Sequence, residues 1–225
     1  MLDVIYEDNH LIAVNKAVGD IVQGDKTGDT PLPEEIKSWL AEKYNKPGNV
    51  FCGVIHRLDR PTSGIVIFSK TSKALSRMNA LFKTNGVQKT YWAIVEEKPP
   101  NKSGTLRNYL VKNEKQNKSY VTDASKKDAK EAILDYRLIA ESDNYYLLEI
   151  ALHTGRHHQI RAQLAHIGCH IKGDLKYGAK RANKDGGISL HARKVVFEHP
   201  IKKEIISITA KVPNEPLWKW FEENN

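Results

Sequence analysis

Short apolar runs that follow one another with only a turn between them constrain this chain most. Val4-Ile5-Tyr6 and Leu11-Ile12-Ala13-Val14 bracket the turn Glu7-Asp8-Asn9-His10 and read as a hairpin. Lys16-Ala17-Val18-Gly19 follows as a turn. Further runs end at Phe68, pass through Tyr91 to Val95, and recur over 133–139, 145–152, 194–198 and 204–210. Helical spacing is rarer. Thr30 caps a helix with Pro31 at its first position, burying Ile36, Trp39, Leu40 and Tyr44. Ala74, Leu75, Met78, Leu81 and Phe82 mark a second helix over 72–84, ended by Gly86. A third covers 157–167 and is closed by Gly168, and a short terminal helix holds Trp218, Trp220 and Phe221. Strands outnumber helices and are neighbours in sequence. This favours an α+β fold, a mixed and largely antiparallel sheet with flanking helices, over a doubly wound one.

The 225 residues suffice for one large domain or two small ones. The expectation is a single catalytic domain over 1–225. Lys and Arg number 35 against 27 Asp and Glu, a net charge of +8, which favours nucleic acid or another polyanion as partner. From 99 to 130 the chain is polar and rich in Lys and Asn, an excursion of hairpins and loops with its lysines outside. No apolar stretch approaches the length of a membrane span. The start, Met1-Leu2-Asp3-Val4, lacks the basic and apolar regions of a signal peptide. Cys52 and Cys169 form no CxxC and read as reduced thiols of a cytoplasmic protein. Without a glycine-rich phosphate loop, no nucleotide cofactor is expected.

The stretch richest in chemistry is His56-Arg57-Leu58-Asp59-Arg60-Pro61-Thr62-Ser63-Gly64, followed by the apolar run Ile65-Val66-Ile67-Phe68. It presents one acid from a loop at a sheet edge. An Asp between two guanidiniums is held ionised by the charge beside it. It suits a nucleophile or an oxocarbenium stabiliser better than a general acid. Arg57 and Arg60 suit a polyanionic substrate. The plain alternative is a surface salt bridge in a loop.

A second dense patch is Leu152-His153-Thr154-Gly155-Arg156-His157-His158-Gln159-Ile160-Arg161. Ile160, Leu164 and Ile167 share one helical face, with Arg161 off that stripe beside His157 and Ala165. Arg161 is either a solvated helix residue or the partner of Asp59 in a cleft. The i,i+4 pairs His153/His157 and His166/His170 have a spacing that zinc tolerates, but no carboxylate lies between either pair, so hydrogen-bonding or phosphate-facing histidines are favoured over a metal site. A third piece is Lys89-Thr90-Tyr91-Trp92-Ala93-Ile94-Val95, where alternation puts Tyr91, Ala93 and Val95 on one side of a strand. Tyr91 is either core or a platform for a nucleobase.

Taken together, these pieces resemble the RluA-type pseudouridine synthases along nearly the whole chain. His56-Arg57-Leu58-Asp59 with Thr62-Ser63-Gly64 matches the family's most specific signature. Lys89, Tyr91 and Ala93 match its K-x-Y-x-A strand, and Thr154-Gly155-Arg156 with His158-Gln159-Ile160-Arg161 matches T-G-R-x-H-Q-[IL]-R. Gly173-Asp174, Tyr177-Gly178, Leu190-His191-Ala192 and His199-Pro200 match C-terminal landmarks. The resemblance implies a mixed sheet with a catalytic cleft between two subdomain-like halves, and no cofactor or metal. It implies Asp59 as the catalytic aspartate and Tyr91 as a stacking platform that assists proton removal. Arg161 would hold Asp59 by an ion pair, and Arg57 would enter the RNA helix as the uridine leaves. Arg60, Arg156 and His158 are expected on the RNA.

Two motifs depart from the family. K-P-x-G is here Lys16-Ala17-Val18-Gly19, and H-P-I-x-G-D is His170-Ile171-Lys172-Gly173-Asp174. Both lose a proline that stiffens a turn and neither touches the chemistry. The accessory S4 domain of many relatives is not matched, so recognition is expected to rest on the catalytic face. The implied function is an RNA pseudouridine synthase acting as a monomer on structured RNA, an rRNA or tRNA stem-loop, with no membrane role. Asp59 would act by attack at the sugar, by a glycal route or by addition to the base. The competing readings are a catalytically silent RNA-binding protein that keeps the fold, and a metal-dependent hydrolase built on the histidines.

Overall fold

The computed structural model describes residues 2–24 and 28–225. The chain divides into two units, Met1–Val87 with Arg193–Lys211, and Gln88–Ala192 with Val212–Asn225.

In the first unit, β1 (Val4–Glu7) and β2 (Leu11–Lys16) form the expected antiparallel hairpin, Val4 opposite Val14 and Glu7 opposite Ile12. Asp8 locks the turn, its Oδ1 accepting from the amides of His10 and Leu11 at 2.7 Å each. β3 (Gly53–Val54) and β2 both pair antiparallel with β4 (Ser63–Ser69), a strand buried throughout. Its continuous apolar run is what burial on both faces requires. One face packs on α1 (Leu32–Lys43) through Val66 and Phe68 against Ile36 and Leu40. The other packs Ile65 and Ile67 against Ala74 and Met78 of α2 (Ser72–Lys83).

Helix ends differ from the sequence reading. Pro31 is itself the N-cap of α1, in extended geometry, and the first helical residue is Leu32, whose amide donates to Ile21 O at 2.8 Å. No side chain caps this end. Tyr44 lies past the last turn and is exposed, its hydroxyl donating to Glu7 at 2.8 Å, so it does not join the core; Trp39 is only half-buried. In α2, Thr71 caps as its residue type favours, accepting from Ala74 N at 3.2 Å. Asn85 rather than Gly86 takes the left-handed position at the C-terminus, with Gly86 N donating back to Leu81 O at 2.8 Å.

The first unit is completed by the Arg193–Glu198 part of β10 (Leu190–Glu198), which neighbours β4 and pairs antiparallel with β11 (Ile205–Thr209). Val195 and Phe197 enter the same core as Ile65 and Ile67.

In the second unit the order is β5 (Val87–Val95, its first residue still in the first unit), β9 (Tyr146–Leu152), β8 (Lys130–Glu141), β6 (Ser103–Asn113) and β7 (Lys118–Thr122), every neighbour antiparallel. The polar excursion is thus the long β6–β7 hairpin. α3 (Gln159–His166) packs Ala162 against Leu110 and Ala132, and α4 (Pro216–Glu223) packs Trp218 and Phe221 against Trp92, Ile94 and Leu147. α3 begins two residues later than the spacing suggested. His158 precedes it in left-handed geometry, φ 52°, so His157 is not a helical neighbour of Arg161. The α+β class, with flanking helices, is as expected. Both cysteines are free. Burial pushes the Cys52 thiol to about 12 and the Cys169 thiol to about 11, so both stay protonated at neutral pH. No helix among the described residues is long and apolar enough to cross a membrane.

Candidate active site

Asp59, Arg57 and Arg60 belong to the first unit, and Tyr91, Arg156, His158 and Arg161 to the second.

Asp59 sits half-buried in the loop between β3 and β4. The loop closes as a turn, Thr62 N donating to Asp59 O at 3.0 Å. It is pinned from the end of β2. Lys16 lies opposite Gly64 in the β2–β4 ladder and is 1% exposed. Its ammonium donates to Thr62 O at 2.8 Å, Ala17 O at 2.9 Å and Arg60 O at 3.0 Å. Gly19 N adds a second donor to Arg60 O at 3.1 Å. Three N–H bonds on three carbonyls saturate an ammonium. Burial pulls Lys16 down to about 8, opposed by the carboxylates of Asp20 and Asp59. His56 anchors the loop's other end: its Nε2 accepts from Ile67 N at 3.0 Å and its ring stacks on Phe82 at 4.8 Å. Arg57 and Arg60 are exposed, bonded to Gln23 and Asp29 respectively.

In the second unit, Tyr91 lies on β5 opposite Ile150 of β9 and is 9% exposed. Lys89, two residues earlier, has its pKa lowered by burial. The segment before α3 is tied to β8. Thr154 Oγ1 accepts from Ile133 N at 2.8 Å and donates to Gln159 Oε1 at 2.7 Å. The same Gln159 oxygen accepts from Arg156 N at 3.0 Å, and Gln159 Nε2 donates to Ile133 O at 3.1 Å. Gln159 therefore ties the segment before α3 to β8, while the exposed Arg156 donates from Nε to Glu131 O at 2.8 Å.

Arg161 is not a solvated helix residue; it is 5% exposed. Nε donates to Asp174 Oδ2 at 2.6 Å and Nη2 to Asp174 Oδ1 at 2.8 Å, a bidentate fork onto a carboxylate that is 1% exposed. The guanidinium also lies 5.0 Å from the centre of the Tyr177 ring. The Tyr177 hydroxyl accepts from Ser119 N at 2.8 Å, donates to Ser119 O at 3.1 Å and meets His158 Nδ1 at 3.0 Å. A hydroxyl has one proton, so satisfying all three contacts puts the imidazole proton on His158 Nδ1. Burial, aided by Arg161 and His157, lowers His158 to about 2. Its ring is neutral at working pH, so it can take part in hydrogen bonds but not in an ion pair.

Three of the four histidines weighed as zinc ligands have protein partners: His153 with Asp135 at 2.6 Å, His157 with Ser119 at 2.9 Å and His170 with Glu97 at 3.1 Å. No group of three metal-ligating side chains occurs among the described residues. In the sequence Lys16, Asp174 and Tyr177 stand only as motif landmarks. The one signal for Asp174 was a carboxylate between Lys172 and Lys176 in a basic stretch.

A family profile described as RNA pseudouridylate synthase matches residues 10–166, which include Asp59, Tyr91 and Arg161. "Ribosomal large subunit pseudouridine synthase C" of Rickettsia felis is 34% identical over 93% of this chain and 67% of its own length. "Ribosomal large subunit pseudouridine synthase D" of Zymomonas mobilis is 30% identical over 95% and 70% respectively. The chain thus spans about two thirds of the length of these relatives. Among solved structures, "Human RNA Pseudouridylate Synthase Domain Containing 4" has a TM-score of 0.81 at 21% identity, covering 97% of this chain and 92% of that one. "Human RNA Pseudouridylate Synthase Domain Containing 1" has a TM-score of 0.73 at 20% identity, covering 97% and 86%; both share the fold.

Fold and matched segment define the class as that of RNA-modifying isomerases. The chain belongs to the RNA pseudouridylate synthase family, the family its motifs resemble.

Proposed function

We propose that this chain converts uridine to pseudouridine in structured RNA, with Asp59 as its catalytic carboxylate. The observation that carries the reading is the pinned loop. The residue matching the family's aspartate stands in a turn whose carbonyls are held by a buried ammonium and a backbone amide. A carboxylate so fixed can meet charge that develops at one atom without reorganising. The reaction breaks the N1 glycosidic bond, turns the base and bonds C5 to the same sugar carbon. The proton leaves C5 and N1 gains one. Cleavage builds positive charge on the sugar, which an ionised Asp59 stabilises. The isomerisation consumes no oxidant and no net water.

The target base must leave its stack, at a cost of a few kcal/mol. Arg57, exposed on the Asp59 loop, fills the gap in the helix. Tyr91 offers a π-face worth roughly 1–3 kcal/mol of stacking. Arg161 serves the reacting centre as the partner of Asp59. Arg60, Arg156 and His158 contact the RNA. The reading takes residues 1–225 as one catalytic domain, working as a cytoplasmic monomer without cofactor. Its substrates are rRNA or tRNA stem-loops, and the names of the Rickettsia and Zymomonas relatives support large-subunit rRNA among them.

The test is tritium release from RNA carrying 5-tritiated uridine. The wild-type chain releases tritium, and Asp59→Asn abolishes release while RNA affinity survives. Full release by Asp59→Asn removes that residue from the mechanism. RNA binding without release by the wild type leaves the silent binder, and loss of release on adding a strong chelator favours the metal reading.

A further inference from the structure

The 3-10 turn Leu175–Tyr177 and the two residues before it matched the family only as landmarks, yet they hold Arg161 from two sides. Asp174 takes the Nε–Nη2 edge of the guanidinium and Tyr177 covers its face. The turn is rigid. Asp174 O accepts from Tyr177 N at 3.0 Å and from Ala179 N at 3.1 Å. Glycines at φ 87° and 102°, Gly173 and Gly178, bound it. A Cβ on Gly173 would lie 2.6 Å from the Asn183 side chain and 2.8 Å from Gly187 O, so this close approach admits no side chain. The Tyr177 hydroxyl is itself fixed by Ser119.

A buried ion pair is a weak source of stability, because apolar residues of similar volume often serve the fold as well. What a bidentate carboxylate supplies that an apolar residue cannot is the position and plane of the guanidinium. An arginine side chain otherwise has considerable rotamer freedom to lose. With one edge of Arg161 taken by Asp174, the direction of its remaining end is set by the turn and not by the flexible side chain.

We propose that Asp174 is a positioning residue for the isomerisation, fixing Arg161 for its work at the reacting centre, with the Tyr177 ring as backing. The inference rests on the reading of Arg161 as the partner of Asp59. It concerns kcat and not RNA affinity, since Asp174 is buried beyond contact with a large polyanion.

The experiment measures kcat, KM, RNA affinity and melting temperature for Asp174→Asn and Asp174→Glu. Asparagine keeps the shape and drops the charge; glutamate keeps the charge and moves it by one methylene. A displacement near 1 Å at a reacting centre costs on the order of 100-fold in rate. Asp174→Asn is therefore expected to lose about 100-fold in kcat with KM and RNA affinity within about threefold, and Asp174→Glu to fall between it and wild type. If Asp174→Asn does not fold, Asp174→Glu carries the test, with kcat down about tenfold at unchanged KM. A folded variant of either kind with wild-type kcat, or a loss confined to KM, overturns the proposal. Asp59→Asn is assayed alongside. Turnover by that variant sinks the reading beneath the proposal, whereas a dead Asp59→Asn beside fully active Asp174 variants sinks the proposal alone.

Discussion

The Lys16 ammonium lies 2.8 Å from the carbonyl oxygen of Thr62, three residues beyond Asp59, and this bond joins the end of β2 to the loop of the candidate catalytic acid. Two further carbonyls complete the cradle. Lys16→Met strands the Thr62 and Ala17 carbonyls and leaves Arg60 O with Gly19 N alone. Each buried group left without a partner costs about 1–3 kcal/mol. The expected loss is roughly 2–4 kcal/mol after relaxation, measured by denaturant unfolding. An unchanged unfolding midpoint contradicts the cradle.

The same lysine sets an alkaline limb. Its value of about 8 lies below the ordinary 10.5, so the native state gives up the proton first. Between these values the unfolded chain binds more protons, and the Lys16 contribution to stability rises with pH. Activity moves the other way. A neutral amine has two N–H groups for three carbonyls, and the Asp59 loop loses one of its ties. Turnover is expected to decline through about pH 8 while the fold is retained, read from kcat and circular dichroism over the same series. Flat kcat up to pH 9.5 counts against it.

His158 produces an acid-side effect. Its value of about 2 lies below the ordinary 6.5, so its neutral form is what folding requires. Between the two values the unfolded chain holds a proton that the native one lacks, and stability falls as pH drops through that window. The slope for one such group is about 1.4 kcal/mol per pH unit. His158→Asn, which tolerates the left-handed backbone at φ 52°, is expected to remove this slope between pH 6 and pH 4. Unfolding free energies over that range decide it, and an undiminished slope refutes the assignment.

Tyr177→Phe keeps the ring beside Arg161 and deletes the hydroxyl shared by Ser119 and His158. The Ser119 amide then loses its acceptor in a buried site. A cost of about 1–3 kcal/mol is expected, visible as a lowered melting temperature. An unshifted melting curve means the hydroxyl is not needed there.

Gly173→Ala tests the turn. Its φ of 87° is strained for alanine, and the new Cβ meets Asn183 and the Gly187 carbonyl. Destabilisation above about 2 kcal/mol is expected. Hydrogen exchange at the Ala179 amide, bonded to Asp174 O, is the local readout, and native protection there opposes the claim.

Alternating and continuous apolar runs determined by themselves the hairpin at Val4–Lys16, the buried strand through Phe68 and the strands over 133–139 and 145–152, because side-chain period and turn chemistry are local. They also determined α2, whose cap and apolar stripe lie within its own segment. The ordered motifs determined the family, since each is short and contiguous. Tertiary structure decided what local signals do not contain. The first residue of α3 moved past His157 because His158 adopts left-handed backbone beside Tyr177. Tyr44 stayed in water because α1 ended one residue earlier. Lys16 and Asp174 gained their places only when distant carbonyls and a distant guanidinium came within hydrogen-bond reach. A lysine in a strand or an aspartate in a turn has the same residue-level signature whether solvated or buried. Desolvation makes the difference, by requiring each buried charge to find its partners.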